Sequence, residues 1–118
     1  MSSVNLIITQ PARLDLARVF NFLNDLGATK QANEVMRLLE KSFTVIQRMP
    51  EIGRKYELSV NGETLPNVRE VIVPYGKSGY SYLYVYDASN NQILILTVKH
   101  NRENAYRLDR LNFIDNFT

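Results

Sequence analysis

Three side chains near the end of the chain have the chemistry to move protons or hold a charged phosphate: His100, Arg102 and Tyr106. Arg54, Lys55, Arg69 and Lys77 add further cations. Attack of a ribose 2′-hydroxyl on its phosphodiester needs one group to take the hydroxyl proton and another to protonate the leaving oxygen. It also needs cations facing the charged phosphorane. Imidazole, phenol and guanidinium can fill those roles, but each residue has a plainer use. His100, the only histidine, closes an apolar strand and can simply hydrogen-bond at the rim of a sheet. Arg102 can pair with Glu103 or Glu70, and Arg69-Glu70 reads as a cross-strand or surface ion pair. Tyr80, Tyr82, Tyr84 and Tyr86 recur at every second position, the spacing of a platform on which bases stack. The plainer reading packs that tyrosine face beneath a terminal helix.

Other chemistries have little support. The chain has no cysteine and one histidine, too few good ligands for a metal site. Gly76-Lys77-Ser78-Gly79 lacks the spacing of a nucleotide-cradling loop and reads as a turn. No cofactor is expected. With 14 basic and 12 acidic residues the net charge is +2, less than a general phosphate binder usually carries, so any anion site must be a local cluster. The N-terminal residues show neither a basic nor an apolar signal region, no apolar run approaches membrane-spanning length, and cysteine is missing. These features lead us to expect a cytoplasmic protein with no membrane partner.

The elements that must position these residues follow from periodicity. Asn5 to Thr9 reads as a first strand, ended by Pro11, which suits the first turn of a helix capped by Thr9 or Gln10. Leu16, Val19, Phe20, Leu23 and Leu26 share one helical face, and Gly27 reads as the helix stop. Thr29 is expected to cap a second helix with a stripe of Ala32, Val35, Met36, Leu39, Phe43, Ile46 and Met49. The short joint makes the two an antiparallel hairpin. Pro50 and Gly53 end the second helix. Glu57 to Pro66 reads as a loop that holds at most a small hairpin around Asn61-Gly62. Three strands follow at Val68–Pro74, Tyr80–Tyr86 and Gln92–His100, joined by turn-rich segments that favour an antiparallel meander. Glu103 to Phe117 reads as a terminal helix. The 118 residues carry no repeat or linker, so one domain spanning 1–118 is expected. Its order is β-α-α-β-β-β-α, an α+β fold with the helical hairpin packed on a mostly antiparallel sheet.

Several segments then look familiar together. Met49-Pro50-Glu51-Ile52-Gly53-Arg54 resembles the proline–glycine–arginine step after the helical hairpin of ParE-like toxins. Leu65-Pro66-Asn67-Val68-Arg69-Glu70 is similar to that family's approach to its central strands. Val73 to Tyr80 is similar to a strand–loop–strand junction of many members, and Thr97 to Glu103 resembles the end of the last strand. On these segments the chain is identified as a member of the ParE/RelE superfamily, closer to the ParE-like members.

The resemblance implies the toxin of a type II toxin–antitoxin pair, neutralised by a cognate antitoxin that folds on binding. A ParE-like member is expected to inhibit DNA gyrase by binding, without chemistry of its own. A RelE-like member is a ribosome-dependent endonuclease that cuts messenger RNA, and its catalytic residues would fall on His100, Arg102 and Tyr106. The basic cluster of RelE is not matched. Gly76 stands where an arginine is expected, and Glu70 to Pro74 holds no lysine. The surface that binds target or antitoxin is expected to draw on Arg54, Arg69, Tyr80, Tyr82, Tyr84, Lys99 and Arg102. A relative that keeps only antitoxin binding is the third possibility.

Overall fold

The computed structural model describes residues 4–103 and 105–107. Strand β1 (Asn5–Ile8) leads into helices α1 (Gln10–Asp25) and α2 (Thr29–Arg48). Short strands β2 (Arg54–Lys55), β3 (Leu58–Val60) and β4 (Glu63–Leu65) follow. The long meander is β5 (Val68–Tyr75), β6 (Ser78–Asp87) and β7 (Gln92–His100). The main sheet runs β1-β7-β6-β5-β2, antiparallel except that β1 lies parallel to β7. β3 and β4 form a separate hairpin. The expected α+β architecture is therefore found. The expected terminal helix lies mostly outside the described residues.

Thr9 fixes where α1 begins. Its side chain accepts a hydrogen bond from the Ala12 N–H, and its hydroxyl donates to the Ile95 carbonyl at 2.6 Å. One residue thus caps the helix and ties it to β7. Gly27, at φ +76°, follows the last turn of α1 in the left-handed region that glycine enters without strain. Two helix expectations need correction. Thr29 is the first residue of α2, preceded by Ala28 at the N-cap with no side-chain bond. Leu26 and Met49 are exposed rather than core, because each lies just past the end of its helix.

Ala32, Val35, Leu39, Phe43 and Ile46 are buried on one side of α2. They cover the sheet face that carries Tyr80, Tyr82, Tyr84, Ile93, Ile95 and Val98. Phe43 meets Tyr82 edge-on with ring centroids 4.9 Å apart, and Ser42 sits 2.7 Å from the Tyr82 hydroxyl. A buried hydroxyl without a partner would cost about 1–3 kcal/mol, which Ser42 offsets. The opposite face, with Leu83, Leu94 and Leu96, packs against Leu58, Val68 and Tyr106. Asn61 and Gly62, both at positive φ, turn the β3–β4 hairpin that covers this face. The sheet is thus buried on both sides.

The register of β6 against β7 slips between Leu83 and Tyr84, whose partners are Thr97 and Ile95, so Leu96 is an extra residue on β7. β1 stops pairing at Ile95, and beyond that point no strand among the described residues pairs with the outer edge of β7. Asp15 continues the ladder from α1. Its Oδ2 accepts from the Val98 N–H at 3.0 Å and the Thr97 hydroxyl at 2.7 Å.

Candidate functional site

The two sheet faces separate the residues that chemistry would need together. His100 pairs with Tyr80 across β6 and β7, and their rings meet edge-on at 5.0 Å on the helix side. Beside them a cavity of about 600 Å³ opens between α1 and the chain after β7. Val19, Phe22, Leu23 and Tyr80 line it with apolar surface, and Arg18, His100, Arg102, Glu103 and Arg107 supply its polar groups.

The turn after β7 is held by its own side chains. The Arg102 backbone N–H donates to His100 Nδ1 at 3.0 Å, so the neutral ring carries its proton on Nε2, 3.4 Å from the Ser78 hydroxyl. Desolvation, then the charge of Arg102, lower the His100 pKa below its ordinary value. Glu103 accepts from Arg18 at 2.6 Å and from the His100 N–H at 3.4 Å. Burial pushes the Glu103 carboxyl up, but the hydrogen bond and charge of Arg18 outweigh it and hold the pKa low. Arg18 also lies 3.7 Å from the Asp15 carboxylate. The plainer use of Arg102, an ion pair with Glu103 or Glu70, is not found among the described residues: Glu103 binds Arg18, and Glu70 binds Arg54 and Tyr106.

Tyr106 lies on the other face. It is buried, and its hydroxyl donates to Glu70 Oε2 at 2.6 Å. The Tyr56 ring meets it edge-on, and the Lys99 ammonium lies 5.1 Å from its ring centroid. Desolvation and the hydrogen bond to Glu70 both raise its pKa well above that of a free phenol. Arg54 binds the other oxygen of Glu70 in an ion pair. The structure therefore brings His100 and Arg102 together and keeps Tyr106 away from both.

Arg69 and Tyr84 serve the proline–glycine–arginine step. Arg69 donates to the carbonyls of Glu51 and Gly53 at 2.9 and 2.8 Å. The Tyr84 hydroxyl donates to the Pro50 carbonyl at 2.7 Å and accepts from the Gly53 N–H at 3.0 Å. A Cβ on Gly53 would stand 2.7 Å from the Tyr84 ring and hydroxyl, so only glycine lets the chain pass this close. Arg69-Glu70 is thus not an ion pair with itself. One member clamps a loop and the other anchors Arg54 and Tyr106.

The tyrosine platform needs the largest correction. Tyr80, Tyr82 and Tyr84 are 5%, 0% and 0% exposed, so they offer no open face for bases or an antitoxin. Their cover is the helical hairpin, chiefly α2, rather than a terminal helix. Arg54 and Lys55 are exposed on β2, and Lys77, in the turn between β5 and β6, does not line the cavity.

Sequence reasoning missed Arg18, Phe22 and Arg107. One signal was available: Leu14, Arg18 and Phe22 recur every fourth residue along α1, with Leu26 at its C-cap, which marks a second ridge beside the core stripe.

The comparisons agree with this architecture. The family model for the ParE toxin of the type II toxin–antitoxin system parDE matches residues 6–105. No curated protein matches significantly in sequence. The fold is similar to a solved structure of the chromosomal ParDE toxin–antitoxin system of P. aeruginosa, at TM-score 0.63 and 18% identity over 83% of this chain and 96% of that one. It is also similar to the RelBE2 toxin–antitoxin complex of Mycobacterium tuberculosis, at TM-score 0.51 and 21% identity over 84% and 99% of the two chains. With the family model spanning most of its length, the chain belongs to the ParE family of type II toxin–antitoxin toxins.

Proposed function

We propose that this protein arrests growth by binding DNA gyrase and is held inactive by a cognate antitoxin in the cytoplasm. One observation carries the preference for binding over catalysis. The Tyr106 hydroxyl is committed to Glu70 on the sheet face opposite His100 and Arg102. A phenol so placed, with its pKa raised, is a poor proton donor or acceptor for anything that reaches His100. The family match supports the same reading, and the neighbouring solved structures contain antitoxins, which supports that kind of partner here.

A second reading has one specific observation in its favour. The surroundings of His100 lower its pKa, and it stands beside Arg102 at an open cavity, where an imidazole and a guanidinium could serve phosphodiester cleavage on the ribosome. Alanine at His100 and Arg102 separates the two. A gyrase binder keeps most of its growth arrest in both variants, with DNA supercoiling impaired in the arrested cells. An endonuclease loses arrest in either variant while its fold stays intact.

A further inference from the structure

Lys30, Arg37, Lys41 and Arg48 are the four cations of helix α2, and all four are exposed. At about 100° per residue they fall within about 40° of one another around the helix. Lys30 and Arg48 lie about five turns apart, so the line they mark runs about 27 Å. Ala32, Val35, Leu39, Phe43 and Ile46 face the sheet, and the cations stand on the opposite side of the helix. None of the four forms an ion pair among the described residues. Arg37 reaches only the Asn33 carbonyl of its own helix. The two acids of α2 do not interrupt the line. Glu34 accepts from the Tyr75 hydroxyl at 2.8 Å, and Glu40 lies about 80° round the helix. Arg37 and Lys41 are like charges four residues apart, an arrangement that disfavours a helix on its own. The line therefore serves no ion pair of the described fold.

We propose that the outer face of α2 binds the phosphate backbone of duplex DNA. The proposal rests on the gyrase reading above, because gyrase works on duplex DNA, and it adds the DNA itself as a second contact. At about 3.4 Å per base pair the line spans about eight pairs, and its cations would displace up to about four counterions from the phosphates. Backbone rather than bases is the target. Phe43, the only aromatic residue of α2, is buried, so the helix offers no ring on which an unpaired base could stack. A net charge of +2 does not oppose this, because the four cations of one face form the local cluster that phosphate binding needs.

The test is fluorescence anisotropy of a labelled DNA duplex of mixed sequence, titrated with the full-length chain at salt concentrations from about 50 to about 200 mM. The logarithm of the association constant should fall with the logarithm of salt at a slope of about −3.6, a loss of about 150-fold over that range. In the double variant Arg37→Gln, Lys41→Gln the slope should drop to about −1.8, with affinity at the lowest salt reduced about tenfold or more. Both positions are exposed and glutamine suits a helix, so this variant should retain the native circular dichroism spectrum. The control variant Lys55→Gln, Lys77→Gln removes two exposed cations away from α2 and should keep both slope and affinity. The proposal is overturned if the duplex does not bind at the lowest salt, if the α2 variant binds like the parent, or if the control variant loses as much. It is also overturned if single-stranded DNA or duplex RNA binds at least tenfold more tightly. Tighter binding of a polyglutamate peptide of equal charge would assign the face to an acidic protein instead and overturn it too. Gyrase is absent from the titration, so its failure would leave the gyrase reading standing, and a failed gyrase assay would leave the DNA contact measured.

Discussion

Replacing Tyr106 with phenylalanine removes one hydroxyl and little else. The ring keeps its contacts with Tyr56 and Lys99, and Arg54 stays on the other Glu70 oxygen. The loss is a hydrogen bond, 2.6 Å long, between a buried hydroxyl and a buried carboxylate. Bonds to charged groups contribute about 1.5–3 kcal/mol, so about 2 kcal/mol is expected. Unfolding entropy of about 2.1 cal/mol/K per residue over this chain converts that to a fall of about 8 °C in Tm. Thermal unfolding followed by circular dichroism measures it. Most of the loss should vanish when the same change is made in a Glu70→Ala background, where the acceptor is already gone. Growth arrest by the variant at a permissive temperature should be nearly unchanged. An unaltered Tm together with lost arrest would refute the reasoning, because it would place Tyr106 in the chemistry and not in the frame.

Gly53→Ala should cost about 2 kcal/mol, since its Cβ must push aside Tyr84 and Arg69, and chemical denaturation reads this directly. Asp15→Ala removes the acceptor shared by the Thr97 hydroxyl and the Val98 N–H, while Arg18 keeps its pairing with Glu103. A buried donor left without a partner costs about 1–3 kcal/mol, so about 2–4 kcal/mol is expected, with amide exchange at Val98 accelerated first. His100 should titrate below the usual histidine value in an NMR pH series. Its folded pKa is depressed, so the unfolded chain takes the proton first as pH falls. The stability linked to His100 is therefore complete above the usual histidine pKa and declines below it, a slope that His100→Gln should remove.

Periodicity made the frame legible. The alternation from Tyr80 to Tyr86 and the stripe from Ala32 to Ile46 place β6 and α2 nearly where they lie. Asn61-Gly62 marked the turn of the β3–β4 hairpin, since both residues accept positive φ. β2 left no trace because it has two residues, both charged and exposed, and exists only through pairing with Arg69 and Glu70. Nothing in the sequence marks Asp15, because a carboxylate on a helix is usually solvated. Its burial follows from the bulge at Leu96 and the early end of β1, which are tertiary facts. At the site, His100 and Arg102 were visible as residue types next to each other in sequence. That Tyr106 faces the other way was not visible, because one residue of register after β7 decides which side of the sheet it covers. The cover over the tyrosines was misassigned for a related reason: alternation shows that a face is apolar and never which element lies on it.

The central claim is that this toxin acts by holding gyrase and not by cutting message. The most direct measurement runs two assays on one preparation of the purified chain: gyrase supercoiling with detection of cleaved DNA complexes, and reconstituted translation with message ends mapped by primer extension. The account predicts blocked supercoiling or trapped cleaved DNA, with intact messages. Ribosome-dependent cuts that disappear with Arg102→Ala, in a preparation that leaves gyrase untouched, would contradict it.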